Sequence, residues 1–529
     1  MTLHVMADPR TLPNGTFTAT VIVTIEGAAS SRVRSHGTTT SIPITVNLVT
    51  PVTPKPSKEA ASQHAIIVPA VGHLDGQDSH WQSDVRITNA GFRNYKYRLT
   101  FTPAGGTALG VKETNVTVDA GATIALDDIV KNWFGQGSLG DGASGMLEIL
   151  PLEDAENAAK VTVASSRTYN VTANGTLGQF IPAVPFPSFI GRAAGNALPT
   201  ILGLQQIAQT KSYRTNVGIV EGSGQPVQAL INVFNAQGTK LLSIPTQLVA
   251  GQQLQLNGLL AANNLSLDDG RIEVQVTGGN GKITAYASVI DGDTGDPLLV
   301  SATPLTGSGA TKYVLPGVTN INSAFANWRT DMRVFNYGTT PQSATLTFYP
   351  VGNPARVAQI VANPGEVLTL DNIVKTLFDG EGLGGAVHLT TPQPAPFVVT
   401  GRTYNQTEHG TFGQFIPAVT VGEAVGKGGR TLHILQVEDS VRYRTNVGLT
   451  EVSGQPALVE LQVVLPDSKI TPTVQVPLAA NEFRQFSLIR DLGLGNAYNA
   501  RIAVRVIDGT GRVTAYGSVI DETTNDPTY

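Results

Sequence analysis

The residues of this chain equipped for chemistry are few, and most of them are carboxylates. Asp291-Gly-Asp293-Thr-Gly-Asp296 sets three acids within six residues, at the oxygen-ligand spacing of a calcium loop. Asp521-Glu-Thr-Thr-Asn-Asp526 keeps acids at the first and last of those positions. Asp, Gly and Asn are also the residues tight turns demand, and no Glu stands at the twelfth position of an EF-hand. A turn is therefore the first expectation for Asp291, Asp293 and Asp296, and calcium the second. His73-Leu-Asp75-Gly-Gln-Asp78-Ser-His80 gathers two imidazoles and two carboxylates, a set zinc or nickel accepts if the loop folds back. Its counterpart Thr319–Asn327 keeps none of them, which favours a solvated loop. No G-x-S-x-G elbow occurs, and with no cysteine in the chain thiol catalysis and zinc-thiolate sites are excluded. The expectation is a protein without a catalytic centre and without a resident cofactor.

What must position these residues is a duplicated architecture. Tyr213–Pro226 (YRTNVGIVEGSGQP) returns as Tyr443–Pro456 (YRTNVGLTEVSGQP), and Ile283–Pro297 returns as Val513–Pro527, both 230 residues later. Ser166–Val184 (SRTYNVTANGTLGQFIPAV) returns as Gly401–Val419 (GRTYNQTEHGTFGQFIPAV). The unit is itself double, because Trp81, Tyr213, Trp328 and Tyr443 open four related segments. The reading is four modules in the order A-B-A′-B′: residues 63–190, 191–304, 311–421 and 429–529, each of β-sandwich size. Residues 53–62 form a Pro-rich linker, and the joints between modules are short, so neighbours should touch and make a semi-rigid rod.

Composition agrees with an all-β fold. Charged residues are 14% of the 529, against about 25% in an average soluble protein. Gly (56) and Pro (31) supply the turns, and 41% hydrophobic residues suffice for real cores. In Trp328-Arg-Thr-Asp-Met-Arg-Val, period-two alternation puts Trp328, Thr330, Met332 and Val334 on one face and Arg329, Asp331 and Arg333 on the other. One short helix per A module is expected after Asp127 and Asp371, with those acids as N-caps. The fold class is thus a tandem array of antiparallel, immunoglobulin-like β-sandwiches.

Aligning the modules exposes a coupled difference. The A modules carry Asp84 with Arg167 and Asp331 with Arg402; the B modules carry Asn216 with Ser288 and Asn446 with Ser518. Joint replacement points to a partly buried cross-strand ion pair, since one buried charge left alone costs several kcal/mol. The leading aromatics Trp81 and Trp328 read first as core rim and second as a sugar-stacking platform, which makes a glycan a candidate partner. The net charge of −5 and the lack of a basic cluster interleaved with aromatics argue against nucleic acid. No apolar run is long enough to span a membrane, and no signal peptide is visible in this chain.

The four modules, over roughly 63–529, resemble tandem repeats of large secreted bacterial surface proteins. The resemblance lies in an aromatic-Arg-Thr-Asp strand, an SRTY-type strand and a Gly-Phe-Ile-Pro-type ending. Here these are Trp328-Arg-Thr-Asp, Arg402-Thr-Tyr-Asn and Gly413-Gln-Phe-Ile-Pro. Residues 1–52 resemble the closing half of a bacterial immunoglobulin-like domain, with strands at Gly15–Thr24 and Ser41–Leu48 and a weaker one at Leu3–Met6. The resemblance implies a non-catalytic structural or adhesive protein at the cell surface or outside the cell. Its partners would be itself, as a fibre subunit joined by strand pairing, or another surface protein. The alternative is the carbohydrate-binding region of a secreted hydrolase.

Overall fold

In a computed structural model, residues 15–24, 39–48, 61–76, 79–135, 143–173, 175–194, 200–323, 326–466 and 470–528 are described. The chain divides into two units, Met1–Pro54 and Lys55–Tyr529. In the first, strands Gly15–Thr24 and Thr39–Leu48 pair antiparallel, Gly15 opposite Leu48. The weaker strand expected at Leu3–Met6 lies outside the described residues.

The second unit repeats one sandwich topology four times. In residues 310–420 one sheet runs, edge to edge, Arg356–Ala362, Gln342–Pro350, Leu383–Ala395, Ala310–Asn322 and Val419–Thr420. The other runs Val367–Leu370, Asn327–Asn336, Phe397–Thr407 and Gly410–Pro417. The long first strand turns the corner between them, pairing Ile321 with Trp328. The other three modules follow the same order, the fourth without the short closing strand among its described residues. The architecture is all-β, with sheets closed face to face as in a sandwich.

Alternation explains the cores. Thr330, Met332 and Val334 are buried while Arg329, Asp331 and Arg333 on the opposite face are only partly covered. Four separate apolar clusters result. Tyr97, Leu99 and Phe101 centre the first, Ile231, Ile272 and Val274 the second, Leu346, Phe348 and Leu389 the third, and Val459, Leu461 and Ile502 the fourth. The short helices form where expected, at Ile129–Asn132 and Ile373–Thr376, and further turns occur at Ala155–Val161 and Leu488–Asp491. The capping differs from expectation. The N-cap residues are Asp128 and Asn372, both left-handed and without a side-chain cap bond. Asp127 and Asp371 instead pair with Arg86 and Arg333, each at 2.7 Å.

The modules are not strung in a line. Strand Pro297–Ser301 touches both Gly175–Pro182 and Gly410–Pro417, and Pro527–Thr528 touches the same two. The fourth module is therefore seated on the first, and the equivalent strands of all four surround a common centre. That centre encloses a cavity of only about 30 Å³, lined among others by Gly178, Pro297, Gly413 and Pro527. The expected rod gives way to a closed ring.

Candidate functional site

Most polar residues singled out by sequence gather at the contacts between modules, so the candidate site is the ring's set of junctions; His73 instead bonds Asp128 and His80 bonds Asp75, both within the first module. Strand register puts Asp84 opposite Arg167 and Asp331 opposite Arg402, with Asn216 opposite Ser288 and Asn446 opposite Ser518. The facing residues nonetheless bond to different partners. Asp84 Oδ1 accepts the backbone N–H of Asp128 at 2.8 Å, and Asp331 Oδ1 accepts that of Asn372 at 2.8 Å. Each carboxylate thus holds the start of its own module's helix, and each also accepts a tyrosine hydroxyl, from Tyr169 and Tyr404. Asn216 Oδ1 does the equivalent job, accepting the N–H of Gly258 at 2.9 Å.

The arginines look outward. Arg402 stacks over Tyr404 and over Tyr213 of the second module, and donates to Tyr213 Oη at 3.3 Å and to Thr411 Oγ1. Arg167 does the same with Tyr169, with Tyr443 of the fourth module and with Thr176. Guanidinium over a phenol ring is attractive when water is excluded. In place of the direct ion pair expected from sequence, each Asp–Arg couple divides its labour: the Asp braces its own module and the Arg binds the next.

The acidic turns complete each junction. Asp291 Oδ1 accepts the N–H of Asp293 at 2.9 Å and of Thr294 at 3.1 Å, while its Oδ2 accepts the N–H of Thr411 at 2.9 Å and its hydroxyl at 2.7 Å. Asp296 Oδ2 accepts the N–H of Gly413 at 2.7 Å. In the fourth module Asp521 Oδ2 takes the N–H and hydroxyl of Thr176, and Asp526 Oδ2 takes the N–H of Gly178 at 2.9 Å. Asp293 is exposed and enters this network only through its backbone N–H. Both oxygens of Asp291 and Oδ2 of Asp296 are thus engaged by N–H and O–H donors, while Oδ1 of Asp296 is buried without one. Among the described residues no three His, Cys, Asp or Glu side chains group to hold a metal ion.

Further contacts tighten the same junctions. Arg333 pairs with Asp269 of the second module, and at the related position Arg86 donates to Asn499 of the fourth at 2.7 Å. Burial pushes the Asp269 and Asp331 carboxyls up, against the pull of Arg333. Burial also holds His433 near a pKa of about 3, where the neutral ring sits 3.0 Å from the Arg501 guanidinium. A charged recess of about 300 Å³ opens at this second-to-third junction, walled by Tyr213, Asp269, Asp331, Arg333 and Arg402. At the third-to-fourth junction a cavity of about 350 Å³ is lined by Trp328, Asn353, Thr403, Asn446 and Gln485. Trp81 sits half buried and donates its indole N–H to Ser79 Oγ at 3.1 Å.

Sequence reasoning missed the carboxylates of the duplicated Glu-x-Ser-Gly-Gln-Pro segment. Glu221 is fully buried and accepts backbone N–H groups from Ser223, Gly224, Gln225 and Gly251 at 2.7–3.2 Å. Glu451 repeats this with Ser453, Gly454, Gln455 and Asn481. The available signal was an acid followed by Ser-Gly in both copies, a pattern that suits a carboxylate folding back on its own turn.

No protein-family model matches this chain, and no curated protein matches it. Among the described residues no helix is long and apolar enough to cross a membrane.

Proposed function

We propose that this protein is a non-catalytic structural or adhesive repeat protein of the cell surface or extracellular space, and that the closed ring is its building block. The observation that carries the reading is how the polar residues at the module contacts are used. Asp84, Asp291, Asp331 and Asp521, with Glu221 and Glu451, are engaged by backbone N–H groups that brace modules or join them. A carboxylate saturated by amides is a poor acid, base or ligand and a good structural tie. The four modules also leave their outer sheet edges at Lys112–Val118, Lys240–Leu248, Arg356–Ala362 and Ile470–Leu478, each paired on one side only among the described residues. Such edges accept a strand from another copy, and repeated edges add weak contacts into useful avidity.

Sedimentation across a wide concentration range, with negative-stain images of the same samples, tests this. Assemblies built of four-lobed particles support it; particles that stay single and bind no surface at any concentration contradict it. A second reading has its own observation. The cavity beside Trp328 is mostly apolar, with the aromatics Trp328, Phe483 and Tyr516 beside the neutral amides of Asn353, Asn446 and Gln485, a mixture that can receive an uncharged sugar. Saturable binding on a glycan array, lost in Trp328→Ala, would establish it.

A further inference from the structure

The two acids nearest the centre of the ring differ from every other carboxylate in the junctions. Asp296 and Asp526 occupy the same position in the second and fourth modules, and they are 2% and 1% exposed. Each uses Oδ2 to hold the N–H of a glycine in a facing module, Gly413 and Gly178. Oδ1 of each is buried and meets no N–H or hydroxyl donor. The two carboxyl groups lie within hydrogen-bonding reach of each other. Two carboxylates in that position repel, and ionising both without a cation between them is costly in a dry site. One O–H between them turns the repulsion into a short, charge-assisted bond.

We propose that Asp296 and Asp526 share a single proton at the centre of the ring, and that this proton latches the two halves of the molecule together. The neighbours are consistent with one negative charge on the pair. Arg402 faces Asp296 and Arg167 faces Asp526, and both guanidinium groups are held in place by Tyr213 and Tyr443. The other titratable groups around the pair are acids of the same turns, Asp291 and Asp521, the second compensated by Arg442 at 3.1 Å. Burial pushes both carboxyls up, so the shared proton is retained above the usual carboxylate range. Losing it at higher pH restores the repulsion across the junctions that Gly178 and Gly413 close.

Infrared titration of the full chain, combined with hydrogen exchange of the segments containing Gly178 and Gly413, tests the latch. The wild type should keep a protonated-carboxyl band near neutral pH that Asp526→Asn removes. Protection of both segments should fall with rising pH, by up to about tenfold per pH unit for one linked proton. Asp526→Asn supplies a permanent N–H donor to Asp296, so its protection should stay flat over the same range. If that variant does not fold, the wild-type band and exchange profile decide alone. A wild type with no such band, or with protection of these segments independent of pH, overturns the proposal.

Discussion

Single side chains in this protein work mainly as acceptors for backbone amides. Glu221 accepts four backbone N–H groups, so its removal leaves several donors unmet. Glu221→Ala should lower stability by at least about 3 kcal/mol, and Glu451→Ala by a similar amount, measured by urea unfolding. Asp84 offers a sharper contrast. Asn216 performs its role in the second module, so Asp84→Asn should unfold within about 1 kcal/mol of wild type, whereas Asp84→Ala should lose about 1–3 kcal/mol. Equal losses in the two variants would mean that the negative charge, rather than the acceptor oxygen, is what matters.

Strands and sheets were the most legible level. The alternation is reproduced in burial from Thr330 to Val334, with Trp328 only half buried, and the aligned Asp and Arg positions face each other across one ladder. What those residues touch was not legible. Arg167 finds its outward partner Tyr443 276 positions along the chain, and nothing local to either residue encodes that distance. The helix starts failed for a related reason: Asp127 and Asp371 have the composition of an N-cap, but Arg86 and Arg333 on the adjacent strand compete for them. The outer strand Arg356–Ala362 turns Val357 and Val361 to solvent, an apolar edge of the kind proteins normally guard with charge. Val357→Lys with Val361→Lys should weaken concentration-dependent assembly through this edge while leaving the unfolding midpoint within about 2 °C, since both residues are exposed. Unchanged sedimentation would exclude this edge from the assembly.

At the scale of the whole molecule, repetition revealed the parts without their arrangement, because four like modules fit a line and a ring equally well. The ring depends on groups that titrate in opposite senses. Asp296 and Asp526 have raised pKa values, chiefly through burial, Asp526 to about 6. The folded state therefore binds their proton more tightly than the unfolded chain does, and that stability is lost as pH climbs from the ordinary carboxyl range through about 6 and beyond. Asp521 is lowered despite its burial, by the amides of Thr523 and Thr176 and by Arg442. Its contribution is present above the ordinary range and disappears on acidification. Thermal unfolding followed by circular dichroism should accordingly show its highest midpoint in mildly acid solution, near about pH 5. Closure itself is read most directly by small-angle X-ray scattering of the second unit, residues 55–529, in dilute solution. A closed four-module ring predicts, for residues 55–529, a radius of gyration near the compact value of about 23 Å. Modules extended in a line would give a markedly larger radius, and that result would contradict the seating of the fourth module on the first.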